Sequence, residues 1–353
     1  MKYKFNPEFD KRYDIRLANL DDVPLIMKFI DECWRKGHIM AKSRVLFDYE
    51  YVHEKEVDFV IAIDKFTGDL EAIFGFIRCQ KERNRDIWGS MWKVRDDHDN
   101  MNLLGIELAR RVYILTGCRM HIGNGANPNT TIPLRKIFFR EKTAKMKQFY
   151  RLNKEIRDYK IAIIKDDSLE NVETDERIND QLINYNLNKI DNFTELMNCF
   201  DLNKMDIYPE KDAYYIKHRY FEHPFYNYLV YAIEINGQTE AVIILRQIDI
   251  NGSSVLRIVD FLGCEKALVG ISSKIDELMQ DRKAEYVDFY QFGLDDEILR
   301  KSGFINREDT RNIIPNYFEP FLQENADIWV HYIMDNTRFF KADGDQDRPN
   351  QLN

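Results

Sequence analysis

The sequence predicts an α+β protein of two tandem domains, each a mixed, mostly antiparallel sheet flanked by helices. The first observation behind this is the order strand, loop, helix, strand, helix in residues 86–139. The second is that the unit recurs: Leu134-Arg-Lys-Ile-Phe-Phe139 matches Leu299-Arg-Lys-Ser-Gly-Phe304, each after a short strand-like run at 119–123 and 284–290. The third is a hairpin upstream of each unit, turning at Thr67-Gly68-Asp69 and at Asn236-Gly237. Asn-Gly between apolar runs is a strong hairpin signal, and so long a period marks a duplicated domain rather than a solenoid.

Residues 13–18 alternate as a strand, and Asn19 or Asp21 caps a helix with Val23, Ile26, Phe29, Ile30 and Cys33 on its apolar face. Residues 34–53 read as a short helix packed by Leu46, Phe47 and Tyr51, or as a substrate-facing loop. After the hairpin at 58–63 and 70–79, Asp86–Val94 is a strand, and 103–116 a helix with Leu104, Leu108, Val112 and Leu115 at helical spacing and Gly117 as its stop. A strand at 118–123, a helix through 132–139 and a closing strand at 159–164 complete an N-terminal domain of residues 1–165. The acidic, polar stretch 166–180 is the linker, and 181–353 the C-terminal domain. There 191–200 and 272–282 are helices, 228–235, 239–250 and 255–261 strands, 328–333 a final strand, and 343–349 a polar tail.

With 51 Lys and Arg against 60 Asp and Glu, the formal charge of −9 argues against a general nucleic-acid partner. No apolar run approaches a membrane span and the start lacks the apolar core of a signal peptide, so a soluble, cytoplasmic chain without a membrane partner is expected. Five scattered cysteines without a Cys-x-x-Cys pair predict buried free thiols. Seven histidines without metal-type spacing predict no transition-metal site, and the carboxylates of 343–347 miss the glycine position of a calcium loop.

The order of elements, together with Leu299-Arg-Lys-Ser-Gly-Phe304 and its degenerate partner at Leu134, resembles the GNAT superfamily of acyl-CoA-dependent N-acyltransferases, as two tandem GNAT-like copies over nearly the whole chain. The resemblance implies acetyl-CoA or another acyl-CoA as donor and a small-molecule amine as acceptor. Tandem proteins of this appearance in bacterial surface-polysaccharide pathways imply a nucleotide-linked amino sugar. The family's coenzyme loop is matched best by Asn102-Leu-Leu-Gly105-Ile-Glu107, where Asn and Glu depart from the pattern; Glu265-Lys-Ala-Leu-Val-Gly270 matches less. The coenzyme is therefore expected along Trp92, Val94, Arg95, Asn102, Leu104, Gly105 and Asn127 of the first half. At the position of the family's Tyr acid the copies have Leu134 and Leu299, so the departing thiolate needs another partner.

Acylating an amine needs a base, a polarised carbonyl and positioning. His121 is the candidate base because imidazole titrates near neutrality, against the reading that it is a core residue. Asp260 and Asp288, carboxylates in apolar strands, either face a cleft between the halves or pair with an Arg such as Arg257. Tyr214, Tyr215, His218, Tyr220 and Tyr226 suit a sugar or nucleotide, and equally an aromatic core. Asp343, Asp345 and Arg348 are candidate substrate ligands, against a solvated tail. Two alternatives are a transferase using aminoacyl-tRNA, which the charge opposes, and a catalytically inactive binding protein.

Overall fold

A computed structural model describes residues 4–166 and 185–351; the expected linker lies outside them, apart from Asp166. The first half runs β1 (Tyr13–Leu17), α1 (Val23–Phe29), α2 (Arg44–Tyr51), β2 (Phe59–Asp64), β3 (Leu70–Arg78), β4 (Asp86–Val94), α3 (Leu104–Thr116), β5 (Met120–Asn124), α4 (Thr131–Leu134, continuing as a wider turn through Arg135–Phe139), β6 (Lys142–Lys145) and β7 (Lys147–Leu152). The second half runs β8 (Asn186–Ile190), α5 (Phe193–Cys199), α6 (Ala213–Phe221), β9 (Leu229–Ile235), β10 (Gln238–Ile250), β11 (Ser253–Gly263), α7 (Ser272–Asp281), β12 (Ala284–Phe292), α8 (Asp296–Lys301), β13 (Ile305–Asn306), β14 (Trp329–Tyr332) and β15 (Phe339–Phe340).

In each half four strands pair antiparallel in chain order and the fifth joins parallel: β1-β2-β3-β4-β5, then β8-β9-β10-β11-β12. Apolar residues on both faces of these strands call for cover on both sides. Leu104, Leu108 and Val112 of α3 cover one face of the first sheet, on Val60, Phe74 and Ile87; α1 and α2 cover the other, with Ile26, Leu46 and Phe47 on Ile61 and Ile73. Ile275 and Met279 of α7 and Leu299 of α8 do likewise for the second sheet. Gly117 ends α3 at φ 68, the left-handed conformation glycine adopts freely.

The halves exchange strands. β14 inserts between β5 and β6 of the first sheet, whereas β7 lies between β12 and β13 of the second. The expected final strand thus forms, but in the other half's sheet. The strand expected at 159–164 does not form: Ile163 makes one bridge to Ile313, and the amides of Lys160, Ile161 and Ala162 donate to the buried Glu285 carboxylate instead of to a ladder. One core joins the halves, packing Trp88, Met120, Ile122 and Val330 with Val242, Ile244 and Val259. All five cysteines are free; Cys79 and Cys118 are buried, and Cys264 is exposed. No helix among the described residues is long and apolar enough to cross a membrane.

Candidate functional site

Each parallel pair diverges partway along. β4 and β5 pair from Asp86 with Met120 to Trp88 with Ile122, and then part. β11 and β12 pair to Ile258 with Phe289. Past that point β15 lies against Gln291 and Phe292, and the Ala342 amide donates to Val259 O at 2.8 Å. Residues 339–342 of the chain therefore fill the second divergence. The first holds a cavity of about 170 Å³ whose walls include Gly89, Ser90, Trp92, Gly123, Asn124, Asn127, Arg135, His331 and Asp345.

Two glycines permit this wall. A Cβ on Gly89 would meet Nε2 of His121 at 2.4 Å, and one on Gly123 would meet Nε2 of His331 at 2.0 Å. Any larger residue would push the imidazoles out of place. His121 lies fully buried, its ring nitrogens 3.4 and 3.2 Å from the terminal nitrogens of Arg135. Burial, and then Arg135 and His331, push the His121 imidazole well below its ordinary pKa. This corrects the sequence expectation: an imidazole enclosed by protein and disfavoured in its protonated form is a poor proton acceptor.

Arg135 is 1% exposed, with its guanidinium carbon 5.6, 5.1 and 5.0 Å from the ring centres of Phe74, Trp92 and Phe139. Glu141 lies 3.5 Å away and also touches Nδ1 of His331 at 2.6 Å. Burial raises the Glu141 carboxyl, but Arg135 and His331 outweigh it and leave the group lowered. Three buried polar atoms of the cavity's residues have no hydrogen-bond partner among the described residues, Nε of Arg135, Oδ1 of Asn124 and Nδ1 of His331, of which the last meets Glu141 as an ion-pair contact.

The tail closes the cavity. Nδ2 of Asn124 donates to the carbonyls of Phe340 and Asp343 at 3.0 and 3.1 Å. A directed chain then runs from Arg348 to Tyr51 OH at 3.3 Å, on to Ser90 Oγ at 2.6 Å and to Asp345 at 3.0 Å. Arg348 also pairs with the buried Glu50 at 2.9 Å and with Asp345 at 3.4 Å. Asp343 is not at the cavity: it is buried on Lys211 at 2.6 Å, its carboxyl pushed up to about 6 by burial against the pull of Lys211. Asp347 is buried on Arg246 at 2.7 Å. The tail is built in, not solvated.

The remaining candidates fall as follows. Asp260 is engaged by Lys211, Tyr220 and the Phe261 amide, and Asp288 by Arg257 in a two-pronged pair at 2.9 and 2.7 Å and by Gln148. Neither lines the cavity, and both are ionic anchors of the second sheet. Trp92 Nε1 donates to Gly105 O at 2.9 Å; a Cβ on Gly105 would meet that nitrogen at 3.1 Å and Val94 at 3.2 Å. Leu104 is buried in the core, Asn102 is exposed, and Asn127 caps its own turn by accepting from the Asn129 and Thr130 amides. Tyr215 and Tyr220 belong to the core, while His218 stacks on Tyr49 at 4.1 Å and Arg246 covers Tyr226 at 4.0 Å, so these rings do not form an open platform.

For a coenzyme, the cavity's unpartnered donor and acceptor fit the thioester end. At the start of α3 the amides of Gly105 and Ile106 have no acceptor among the described residues. Lys93, in β4, pairs with Asp96, and Arg95, in the loop before α3, with Asp97, so that stretch adds no free cation among the described residues. Asp69, Glu71 and His98 bring ligand-type atoms within 4.8 Å of one another, with Glu71 hydrogen-bonded by His98 and Asn100. A larger groove of about 1020 Å³ on the second half, beside Glu240, Gly263 and Arg338, has no unpartnered buried polar side chain among the described residues.

No family model and no curated protein matches this chain. Among solved structures it is similar to a GCN5-related N-acetyltransferase from Kribbella flavida, with TM-score 0.52 and 11% identity over 90% of this chain and 71% of that one. It is also similar to a GCN5-related glucosamine N-acetyltransferase region of a fungal multi-domain GH3 β-N-acetylglucosaminidase (0.49, 11%, 91% and 38%). A third is a GCN5-related N-acetyltransferase from Anabaena variabilis (0.47, 10%, 91% and 73%). At such identities the likeness is one of fold, and the fold is that of the GNAT proteins.

Proposed function

We propose that this chain is an N-acyltransferase that moves an acyl group from acyl-coenzyme A to a small-molecule amine, with the thioester in the cavity between β4 and β5. The observation that carries the reading is the contrast between the two divergences: one is open and lined by unpartnered polar groups, the other is filled by residues 339–342. Beyond Trp88, β4 stays paired with β3 but no longer with β5, so amides turned to that edge can polarise a carbonyl there. Asn124 Oδ1 accepts a hydrogen bond from the incoming amine, and Asp345, held by Ser90 and Arg348, takes its proton as nitrogen attacks the carbonyl carbon. Asp345 thus moves from the substrate ligand expected from sequence to the base, and Arg348 becomes its positioning partner. A nucleotide-linked amino sugar is the acceptor class that the resemblance implies, and we adopt it on that ground. Incubation with acetyl-coenzyme A and a panel of amines, including UDP- and dTDP-linked amino sugars, should release thiol only with an accepted amine. Absence of both thiol release and coenzyme binding would overturn the reading in favour of an inactive binding protein.

A further inference from the structure

We propose that Arg135 is the group that receives the departing thiolate, in place of the acid that Leu134 cannot supply. This rests on the acyl-transfer reading above. Four observations converge on it. Arg135 lines the cavity and is almost wholly buried. Its Nε has no partner among the described residues. Its guanidinium is held among Phe74, Trp92 and Phe139, which fix it in place without offering a strong acceptor. Its counter-charge, Glu141, stands 3.5 Å off and is itself bound by His331 and Tyr113. Arginine stays charged in any protein environment, so it cannot donate its proton as a tyrosine does. It can stabilise an anion by charge and a hydrogen bond, which in a water-poor cavity is worth more than in solvent.

The step balances as follows. The amine nitrogen bonds to the carbonyl carbon and its proton passes to Asp345. The carbon–sulfur bond then breaks with its electron pair moving to sulfur, and the resulting thiolate pairs with the Arg135 guanidinium at the cavity wall. Water re-protonates the thiolate as the product leaves, and the hydroxide so formed takes the proton held by Asp345. His121, crossing at Gly89, holds the guanidinium at the wall, and His331, crossing at Gly123, holds its counter-charge Glu141; neither takes a proton.

The test follows the thiol rather than the turnover. Free coenzyme A is bound to the full chain and its ionisation is read from the ultraviolet absorbance of the thiolate as pH is varied. The intact protein should lower the pH of half-ionisation by about one unit or more relative to free coenzyme A. Arg135→Gln should abolish that shift and slow acyl transfer about 100-fold, while Arg135→Lys should retain much of both. A shift that persists in Arg135→Gln, or no shift in the intact protein, overturns the assignment even if acyl transfer is observed. If Arg135→Gln does not fold, the intact protein and Arg135→Lys decide: a normal thiol in the former sinks the proposal, and a lowered one retained in the latter supports it. Failure of the intact protein to bind coenzyme A overturns the acyl-transfer reading itself and this inference with it.

Discussion

Ser90 and Asp345 stand 255 positions apart in the chain and 3.0 Å apart in the fold, and the cavity's chemistry turns on that meeting. His121 has the better intrinsic basicity for neutral pH, but it is enclosed behind Gly89 and depressed by burial and by Arg135. Asp345 keeps access to the cavity, and two donors, Ser90 and Gln346, hold its orientation. Asp345→Asn preserves the shape of the side chain but gives up one of its two acceptor oxygens and cannot accept the amine's proton. It should lower kcat for acyl transfer by about 100-fold or more. A variant that turns over as fast as the parent would remove Asp345 from the role of base.

At the scale of elements, α2 of the first half packs on α6 of the second. Tyr49 OH donates to His218 O at 2.8 Å while His218 Nε2 lies 2.9 Å from Tyr49 O, and the two rings stack. Just beyond α2, His53 meets Tyr214 OH at 2.9 Å. Burial, and then Arg78, push the His53 imidazole down to about 3, whereas the same group titrates at about 6.5 in an unfolded chain. Between those values the unfolded chain binds the proton and the folded one does not. Stability is therefore full above about pH 6.5 and declines as pH falls, by at most about 1.4 kcal/mol per unit for this group. His223, pushed down to about 3 by burial and Arg219, and His38, down to about 4 by burial and Arg348, act in the same sense. Denaturant unfolding at pH 7, 6 and 5 should show the parent losing stability progressively, and His53→Gln losing less. Parallel losses in the two proteins would exclude His53 as a source of the acid sensitivity.

For the whole molecule, strand exchange and a shared core make each half depend on the other. Without β14, strands β5 and β6 lose the neighbour that joins them. Without residues 343–353 the buried charges Lys211, Arg246 and Glu50 lose Asp343, Asp347 and Arg348. The sequence reads this stretch as a polar tail, but the burial of its charges means that removing it costs stability. Stripping one partner from a buried ion pair costs about 3–5 kcal/mol, so the truncated chain should melt at least about 5 °C lower and lose acyl transfer. Scanning calorimetry that finds an unaltered Tm would mean that these pairs contribute nothing net to stability.

The sequence determined the elements, because their signals are local. Helical spacing of Leu104, Leu108 and Val112, the stop at Gly117 and the Asn-Gly turn at 236 each specify a few neighbouring residues, and all are found where expected. The repeat of Leu134 to Phe139 at Leu299 likewise marked the two copies of the fold. The interior strand glycines Gly89 and Gly123, and Arg135 beside Lys136 in an otherwise apolar helix, are the sequence signals of the cavity wall. Tertiary structure alone decided which sheet each strand joins, since β7 and β14 carry ordinary apolar patterns that fit either half. It alone also decided that residues 339–342 close one divergence while Asp345 faces the other, because contacts between residues distant in the chain depend on which edges are free once the sheets have formed.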